Sequence, residues 1–297
     1  MTTWKIFAPS AGTLIQGMTG KEGMRMTKWL RQSGMQVCAG VTPGKGGKVV
    51  EACPIFDSVQ EACQAFPQIE VTSIVVPATR VRGAVEEALA ANIKYLHILT
   101  ESVPVHDVVV VRTLARTQNA YILGPSSVGY LQFPAFRLGY IGGENPFSVI
   151  MDGGVSLVST SGGMTNEIMM GLARHQIGIH TAFAIGGDRV PAFSLEEALT
   201  FCDALPETKQ LVVFAEPGRP FFTQLLRGQL PYTHPLILFL AGDILDQLPR
   251  GKAYGHTGTL LQEEEQAVAS LRVALRERGI TCVATMTELI QCLKSYV

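Results

Sequence analysis

Short runs of consecutive apolar residues alternate along most of this chain with longer segments whose apolar positions recur every three or four residues. The first pattern predicts strands covered on both faces and the second predicts amphipathic helices. Side chains alternate across a strand, whereas they return to one face of a helix about every 3.6 residues. In the first half, strands are predicted at 13–16, 36–41, 73–76, 95–99 and 121–123, with helices at 24–32, 58–65, 81–91 and 105–117 between them. In the second half, strands are predicted at 155–159, 181–185, 211–215, 236–240 and 281–284. Helices are predicted after 160–167 and at 195–204, 221–227, 263–278 and 286–295. Such alternation gives βαβ units and parallel sheets. Residues 132–152 break the period and are rich in glycine and proline, as expected of a crossing between domains. The predicted class is α/β, with a Rossmann-like domain over 1–131, the crossing over 132–152 and a flavodoxin-like parallel-sheet domain over 153–297. The apolar patch within residues 3–12 fits no element of this scheme.

Composition narrows the function classes. At 297 residues and 47% hydrophobic content the chain can bury more than one core. Its 24 basic and 25 acidic residues are mixed along the sequence, with no basic arm for nucleic acid and no polybasic run for a membrane surface. Apolar runs such as 236–241 are too short to span a bilayer, and the N-terminal residues lack the layout of a signal peptide. A cytoplasmic location is expected. The six cysteines include no C-x-x-C pair and fit reduced thiols in the core. His97, His106, His175, His180 and His234 share no ligand spacing with carboxylates or cysteines, so no metal site is expected from protein ligands.

Candidate chemistry gathers at predicted strand ends, where open α/β sheets place their ligands. The first turn, Gly17-Met18-Thr19-Gly20-Lys21-Glu22-Gly23, is spaced G-x-x-G-x-x-G, which serves helix–strand packing as readily as a ligand. A dinucleotide site wants an acid at the end of the second strand to bind the ribose hydroxyls. That position runs instead into Thr42-Pro43-Gly44-Lys45-Gly46-Gly47-Lys48, a flexible, doubly basic loop. Such a loop suits a phosphorylated nucleotide other than NAD, through Lys45 and unpaired backbone N–H groups, and is otherwise a solvated basic loop. In the second half, Ser161, Gly162 and Gly163 enter a predicted helix, either as an anion cradle or as ordinary capping residues. Glu216 ends another predicted strand. His256 stands in Gly255-His256-Thr257-Gly258, where small neighbours leave its ring unshielded, although in isolation the better reading is a turn that happens to carry a histidine. If the strand order brings them together, an imidazole, a carboxylate that orients it and a helix N-terminus form a site for a phosphohistidine.

Several of these motifs resemble a known family. Gly17-Met18-Thr19-Gly20, the V-T-P-G-K-G-G run at 41–47, Thr100-Glu101 and Gly124-Pro125 are similar to the CoA-binding domain of the α subunit of succinyl-CoA synthetase and related acyl-CoA ligases. The resemblance implies that Gly17, Thr19, Gly20, Lys45, Val76, Pro77 and Glu101 line a coenzyme A site. It also implies that Ser126 and Ser127 lie near the thiol end and the acyl substrate. G-H-T-G at 255–258 resembles the G-H-A-G whose histidine those subunits phosphorylate. Glu216 then matches the glutamate that contacts it, and Ser161, Gly162 and Gly163 open the helix that holds its phosphate. The motifs S-G-G-M-T-N-E and A-I-G-G-D-R look closer to ATP-citrate lyase and citryl-CoA synthetase. Ser126-Ser127-Val128 and Pro217-Gly218-Arg219 depart from the succinate pattern of G-P-N-[CT]-P-G and E-I-G-G.

The function implied is the α-type subunit of a carboxylate–CoA ligase, working through a phosphohistidine at His256. No second glycine-rich nucleotide loop is present. ATP or GTP with Mg²⁺ would therefore be held mainly by a β-type ATP-grasp partner in a hetero-oligomer, with a small carboxylic acid as substrate. The alternatives are a CoA-binding regulatory or scaffold paralogue without turnover and a citryl- or malyl-CoA-specific member. The basic second-strand loop disfavours an NAD-dependent dehydrogenase.

Overall fold

The computed structural model describes residues 4–188, 190–247, 253–254, 259–260 and 267–295. The chain opens through β1 (Gly12–Gln16), α1 (Lys21–Gln32), β2 (Val37–Val41), β3 (Val49–Val50), β4 (Cys53–Phe56), α2 (Val59–Ala65), β5 (Ile69–Ile74), α3 (Val81–Ala90), β6 (Tyr95–Ile98), α4 (Val105–Thr117) and β7 (Tyr121–Leu123). It continues through β8 (Gly129–Gln132), β9 (Phe136–Gly139), β10 (Val155–Ser159), α5 (Gly162–Arg174), β11 (Ile179–Ala184), α6 (Leu195–Asp203), β12 (Gln210–Ala215), α7 (Pro220–Leu226), β13 (Leu236–Leu240), β14 (Ala253–Tyr254), β15 (Thr259–Leu260), α8 (Val268–Glu277), β16 (Thr281–Val283) and α9 (Met286–Lys294). Strands β1, β10, β12 and β13 are buried along their whole length, as the unbroken apolar runs require of strands covered on both faces. Residues 263–266 of the predicted long helix lie outside the described residues.

The first sheet has the order β3-β4-β2-β1-β5-β6-β7 and is parallel except for the β3–β4 hairpin. The chain moves outward from β1 to β2 and β4, then returns to β5 on the other side. The crevice of such a sheet opens at that switch point, between the ends of β1 and β5. Helix α1 turns Gly23, Met26, Thr27 and Leu30 into the core, while Met24 stays on the solvent side. The apolar period over 24–32 predicts Met24, Met26, Trp29 and Leu30 on one face, and the structure corrects this at Met24. Gly23 replaces it because a Cβ there would meet the Gly17 carbonyl oxygen at 2.4 Å.

The second sheet is mixed, where an all-parallel one is expected. Its order is β16-β13-β12-β10-β11-β8-β9, and the β8–β9 hairpin adds antiparallel to β11. That hairpin includes residues expected to form the crossing. Gly129, Pro134 and Gly139 give the segment the composition of a linker. Its pattern is nonetheless that of strands: Tyr130, Phe136 and Leu138 enter one core cluster, and Leu131 and Phe133 enter another.

The unplaced N-terminal patch supplies the wedge between the sheets. Trp4 packs edge-on against Tyr95 of β6, Tyr130 of β8 and Phe183 of β11, with ring centroids 5.6, 5.6 and 5.8 Å away. Phe7 stacks on Phe136 at 4.5 Å. The Gln132 side chain then holds the Phe7 backbone at both ends, accepting its N–H at 3.0 Å and donating to its carbonyl at 2.9 Å. Residues of both sheets and this wedge form one buried cluster.

A buried polar chain joins the same layers. The Ser127 carbonyl oxygen can only accept, so His97 must carry its proton on Nε2, which donates to it at 2.9 Å. His97 Nδ1 then accepts from the Ser73 hydroxyl at 3.1 Å, and the Ser127 hydroxyl donates to the Ala184 carbonyl at 2.6 Å. Burial pushes the His97 ring down from 6.5 to about 4.

Two outcomes follow from this packing. Trp4→Ala is expected to lower unfolding stability by about 3–5 kcal/mol in urea titrations, because the cavity would lie between two sheets. His97 is neutral when folded, so as pH falls the unfolded chain takes up its proton first. Stability attributable to this ring is complete above pH 6.5 and is lost as pH falls toward 4. At about 1.4 kcal/mol per pH unit the loss approaches about 3 kcal/mol. Unfolding titrations between pH 7 and 4.5 should show a steeper decline for the wild type than for His97→Gln. Parallel declines would refute the assignment.

Candidate active site

The first crevice is built at the carboxyl ends of β1, β2, β5 and β6. Gly17 leaves β1 with φ +86°, its N–H donating to the Val41 carbonyl at 2.8 Å. A Cβ there would lie 2.5 Å from the Val75 carbonyl oxygen, so only glycine allows the β1 and β5 ends to approach this closely. Gly20 is the N-cap of α1 and provides no side-chain cap, which leaves first-turn N–H groups to face a ligand. The Thr19 hydroxyl lies 3.3 Å from that of Thr42, joining the first turn to the basic loop. Val76 and Pro77 follow β5, with the Val76 carbonyl accepting the Thr100 hydroxyl at 2.7 Å. Glu101 follows Thr100 on the exposed side. The strand order thus brings Gly17, Thr19, Gly20, Val76 and Pro77 to one crevice and sets the Lys45 loop beside it.

One part of the sequence reading changes. The N–H groups of Lys45 and Gly46 are engaged, both donating to Asp57 Oδ1 at 2.9 Å. An anion meeting this loop therefore finds the Lys45 and Lys48 side chains and not those two amides. Asp57 escapes a reading of the sequence because its strand, β4, is too short and too broken by Pro54 to stand out.

The second crevice lies at the ends of β10, β11 and β12. Ser161 caps α5, its hydroxyl accepting the Met164 N–H at 3.3 Å. Gly162 and Gly163 follow in the first turn, and a Cβ on Gly163 would meet nothing within 4 Å. Among the described residues the helix start is thus open at Gly163, while Val128 covers Gly162. Beside it, at the end of β12, Glu216 accepts the Thr160 hydroxyl on Oε2 at 2.6 Å. Thr160 directly precedes Ser161, so Glu216 and the helix start are one hydrogen bond apart. Arg219 Nη2 lies 3.6 Å from the same carboxylate oxygen and donates to the Gly187 carbonyl at 3.3 Å. Burial lowers the Arg219 guanidinium, while Glu216, Glu196 and Asp188 raise it. His256 and Arg189 lie outside the described residues. The strands that bracket His256 in sequence, β14 and β15, pair antiparallel with Tyr254 opposite Thr259.

Ser126 and Ser127 sit where the two crevices approach each other, and they differ. Ser127 is 1% exposed, and its hydroxyl is committed to Ala184 and to the Gly129 N–H at 3.0 Å. Ser126 is the accessible member, with φ +58°. Gly186 approaches this loop so closely that a Cβ would lie 2.1 Å from the Pro125 carbonyl oxygen. Val128 rests on Gly162, where a Cβ would meet its Cγ1 at 2.5 Å. Among the described residues no group of histidine, cysteine and acidic side chains could hold a metal ion, and no helix is long and apolar enough to cross a membrane.

Comparisons with known proteins agree with this layout. Residues 10–102 match the family of CoA binding domains, and residues 152–296 match the succinyl-CoA ligase like flavodoxin domain. An ADP-forming sulfoacetate-CoA ligase subunit from Acholeplasma sp is 30% identical over 272 residues, covering 89% of this chain and 88% of that protein. The ADP-forming succinate–CoA ligase subunit alpha from Aquifex aeolicus is 31% identical over 269 residues, covering 90% and 86%. In fold, the chain superposes on ATP citrate lyase from Methanothrix soehngenii with a TM-score of 0.84 at 23% identity. The match covers 98% of this chain and 51% of the lyase chain, so this chain spans about half of that polypeptide. With both family models matched in order, and with relatives at this identity aligned over most of both sequences, the chain belongs to the succinate–CoA ligase α-subunit family of ADP-forming CoA ligases.

Proposed function

We propose that this chain is the α-type subunit that carries coenzyme A and a phosphohistidine in an acid–thiol ligase. It works with a β-type ATP-grasp subunit that supplies ATP or GTP with Mg²⁺. The observation that carries the reading is the hydrogen bond from Thr160 to Glu216, which sets a carboxylate beside the first turn of α5. A carboxylate in that place fixes the tautomer of an approaching imidazole and steadies its positive charge, and helix N–H groups hold the phosphoryl oxygens.

A ring nitrogen of His256 attacks the γ-phosphorus, forming an N–P bond as the nucleoside diphosphate leaves. The substrate carboxylate then attacks that phosphorus, breaking the N–P bond and giving an acyl phosphate. The CoA thiolate attacks the acyl carbon, forming the thioester and releasing inorganic phosphate. In the first crevice the α1 amides, Thr19 and Lys45 bind the phosphates of CoA, while Gly17, Val76 and Pro77 let the nucleotide approach the backbone. Ser126, near the junction, would face the acyl group.

The substrates of two relatives, sulfoacetate and succinate, are both small acids with a second anionic group. A small dianionic acid is the substrate class proposed here. Arg219 adds a positive charge beside Glu216 where the family motif has glycine. The same Arg219–Glu216 contact favours a second reading, a CoA-binding paralogue without turnover, because it engages the carboxylate that should orient His256.

Labelling separates the two readings. Co-expressed with its β-type partner and given γ-labelled ATP, the wild type should acquire an acid-labile, alkali-stable label. The label should be absent in His256→Ala and form about a hundredfold more slowly in Glu216→Gln. Wild type that binds CoA but takes no label supports the paralogue, and label that persists in His256→Ala removes the phosphohistidine.

A further inference from the structure

The loop that carries Lys45 is held on an anion of its own. Asp57 Oδ1 accepts two successive backbone N–H groups, those of Lys45 and Gly46, each at 2.9 Å. The approach is close: a Cβ on Gly46 would lie 2.6 Å from Asp57 Oδ2 and 2.9 Å from its Cγ. Around this contact the loop is tied to β4 by the Thr42 N–H on the Phe56 carbonyl, the Gly47 N–H on the Ile55 carbonyl and the Ile55 N–H on the Lys48 carbonyl. The Asp57 N–H is in turn accepted by the Glu61 carboxylate at 3.3 Å. Gly44 and Gly47 take φ of +76° and +78°, which lets so short a loop fold back on its strand.

Two successive amides that converge on one oxygen form the kind of concavity that elsewhere binds a phosphate. Here a carboxylate fills it. The concavity is closed to a ligand phosphate and instead fixes the backbone from which Lys45 projects. The end of the second strand in such a sheet faces the ribose of a bound nucleotide. Coenzyme A differs from an ordinary adenosine diphosphate derivative in the phosphate on its ribose.

On the reading that this crevice binds coenzyme A, we propose that Asp57 is a positioning residue: it anchors the Lys45 loop so that the lysine ammonium, and not the loop amides, meets the ribose phosphate. The anchoring needs an acceptor oxygen and not a charge, so asparagine can take its place. Without any acceptor the Gly46 N–H is released and the Lys45 N–H keeps only the Thr42 carbonyl, at 3.0 Å, so the loop loosens and discrimination for the ribose phosphate falls.

Calorimetry with coenzyme A and dephospho-coenzyme A tests this on the full chain, with amide hydrogen exchange at Gly46 as a readout independent of ligand. Asp57→Ala should weaken coenzyme A roughly tenfold while leaving dephospho-coenzyme A within about twofold, and the Gly46 amide should lose protection. Asp57→Asn should keep both affinities and the protection. An unchanged affinity ratio in Asp57→Ala, or equal damage from Asp57→Asn, overturns the proposal. Wild type that binds neither ligand, with the Gly46 amide still protected by Asp57, would instead show that the crevice does not take coenzyme A, and the positioning role would fall with it.

Discussion

The chain from Ser73 through His97 and Ser127 to Ala184 governs how the two sheets meet. The loop after β7 must end one sheet and begin the next within a few residues, and it does so inside the protein, where water cannot satisfy its polar atoms. His97 meets that need because a neutral imidazole both donates and accepts. One ring thereby joins a hydroxyl on β5 to a carbonyl in the loop, and Ser127 carries the connection on to β11. Glycines make room for it. A Cβ on Gly139 would lie 2.7 Å from His97 Cε1 and 2.4 Å from the Val128 carbonyl oxygen. Once this connection is made, the register of β8 on β11 is set, and Trp4 and Phe7 fill the remaining space between the layers.

Both crevices inherit their placement from that junction. Val128 lies one residue beyond Ser127 and rests on Gly162, in the first turn of α5. Asn166, one turn further along the helix, accepts the Gly142 N–H at 2.7 Å from the segment after β9. The start of α5 is therefore located by residues that follow the first sheet directly. Gly186, against Pro125, brings in the loop after β11 from the other side. On the proposed function, a group handed from the second crevice toward the first would cross the Ser126 loop, which the hydrogen bonds of Ser127 and His97 tie to β11 and β5.

What could be read in the sequence divides along the range of the interactions. The central strands were legible because each is a continuous apolar run, a property that burial on both faces imposes on its own residues. The helices at 105–117 and 286–294 were legible from their period, and Gly17, Ser161 and Glu216 from their places at predicted strand ends. Four features were not legible, and each depends on a distant partner. Trp4 and Phe7 gain their role only from Tyr95, Tyr130 and Phe183. The β8–β9 hairpin has the glycines and proline of a linker, and only β11 makes it an edge. Ser127 looks like a substrate hydroxyl until Ala184 is found to accept it. Asp57 acquires its role from a loop 11 and 12 residues away in sequence, over a strand of four residues.

The two helix starts solve different problems with similar material. At α1 the cap is Gly20, which has no side chain to occupy the first turn, while Asp57 keeps the nearby loop amides closed. A nucleotide phosphate there would meet the helix amides and a mobile ammonium on an anchored base. At α5 the cap is Ser161, whose hydroxyl takes the Met164 amide and leaves the two glycines ahead of it. Full capping would close the site, and no capping would leave the helix start without a fixed geometry. On the proposed function, a transferred phosphoryl group must be held here firmly enough to react and loosely enough to leave. A partly capped turn with a carboxylate one hydrogen bond away suits that requirement better than a pocket of fixed cations. This also makes Arg219 the informative departure. A guanidinium 3.6 Å from Glu216 competes for the carboxylate in the resting chain, and a dianionic substrate or a phosphoryl group is the kind of ligand that would draw it away.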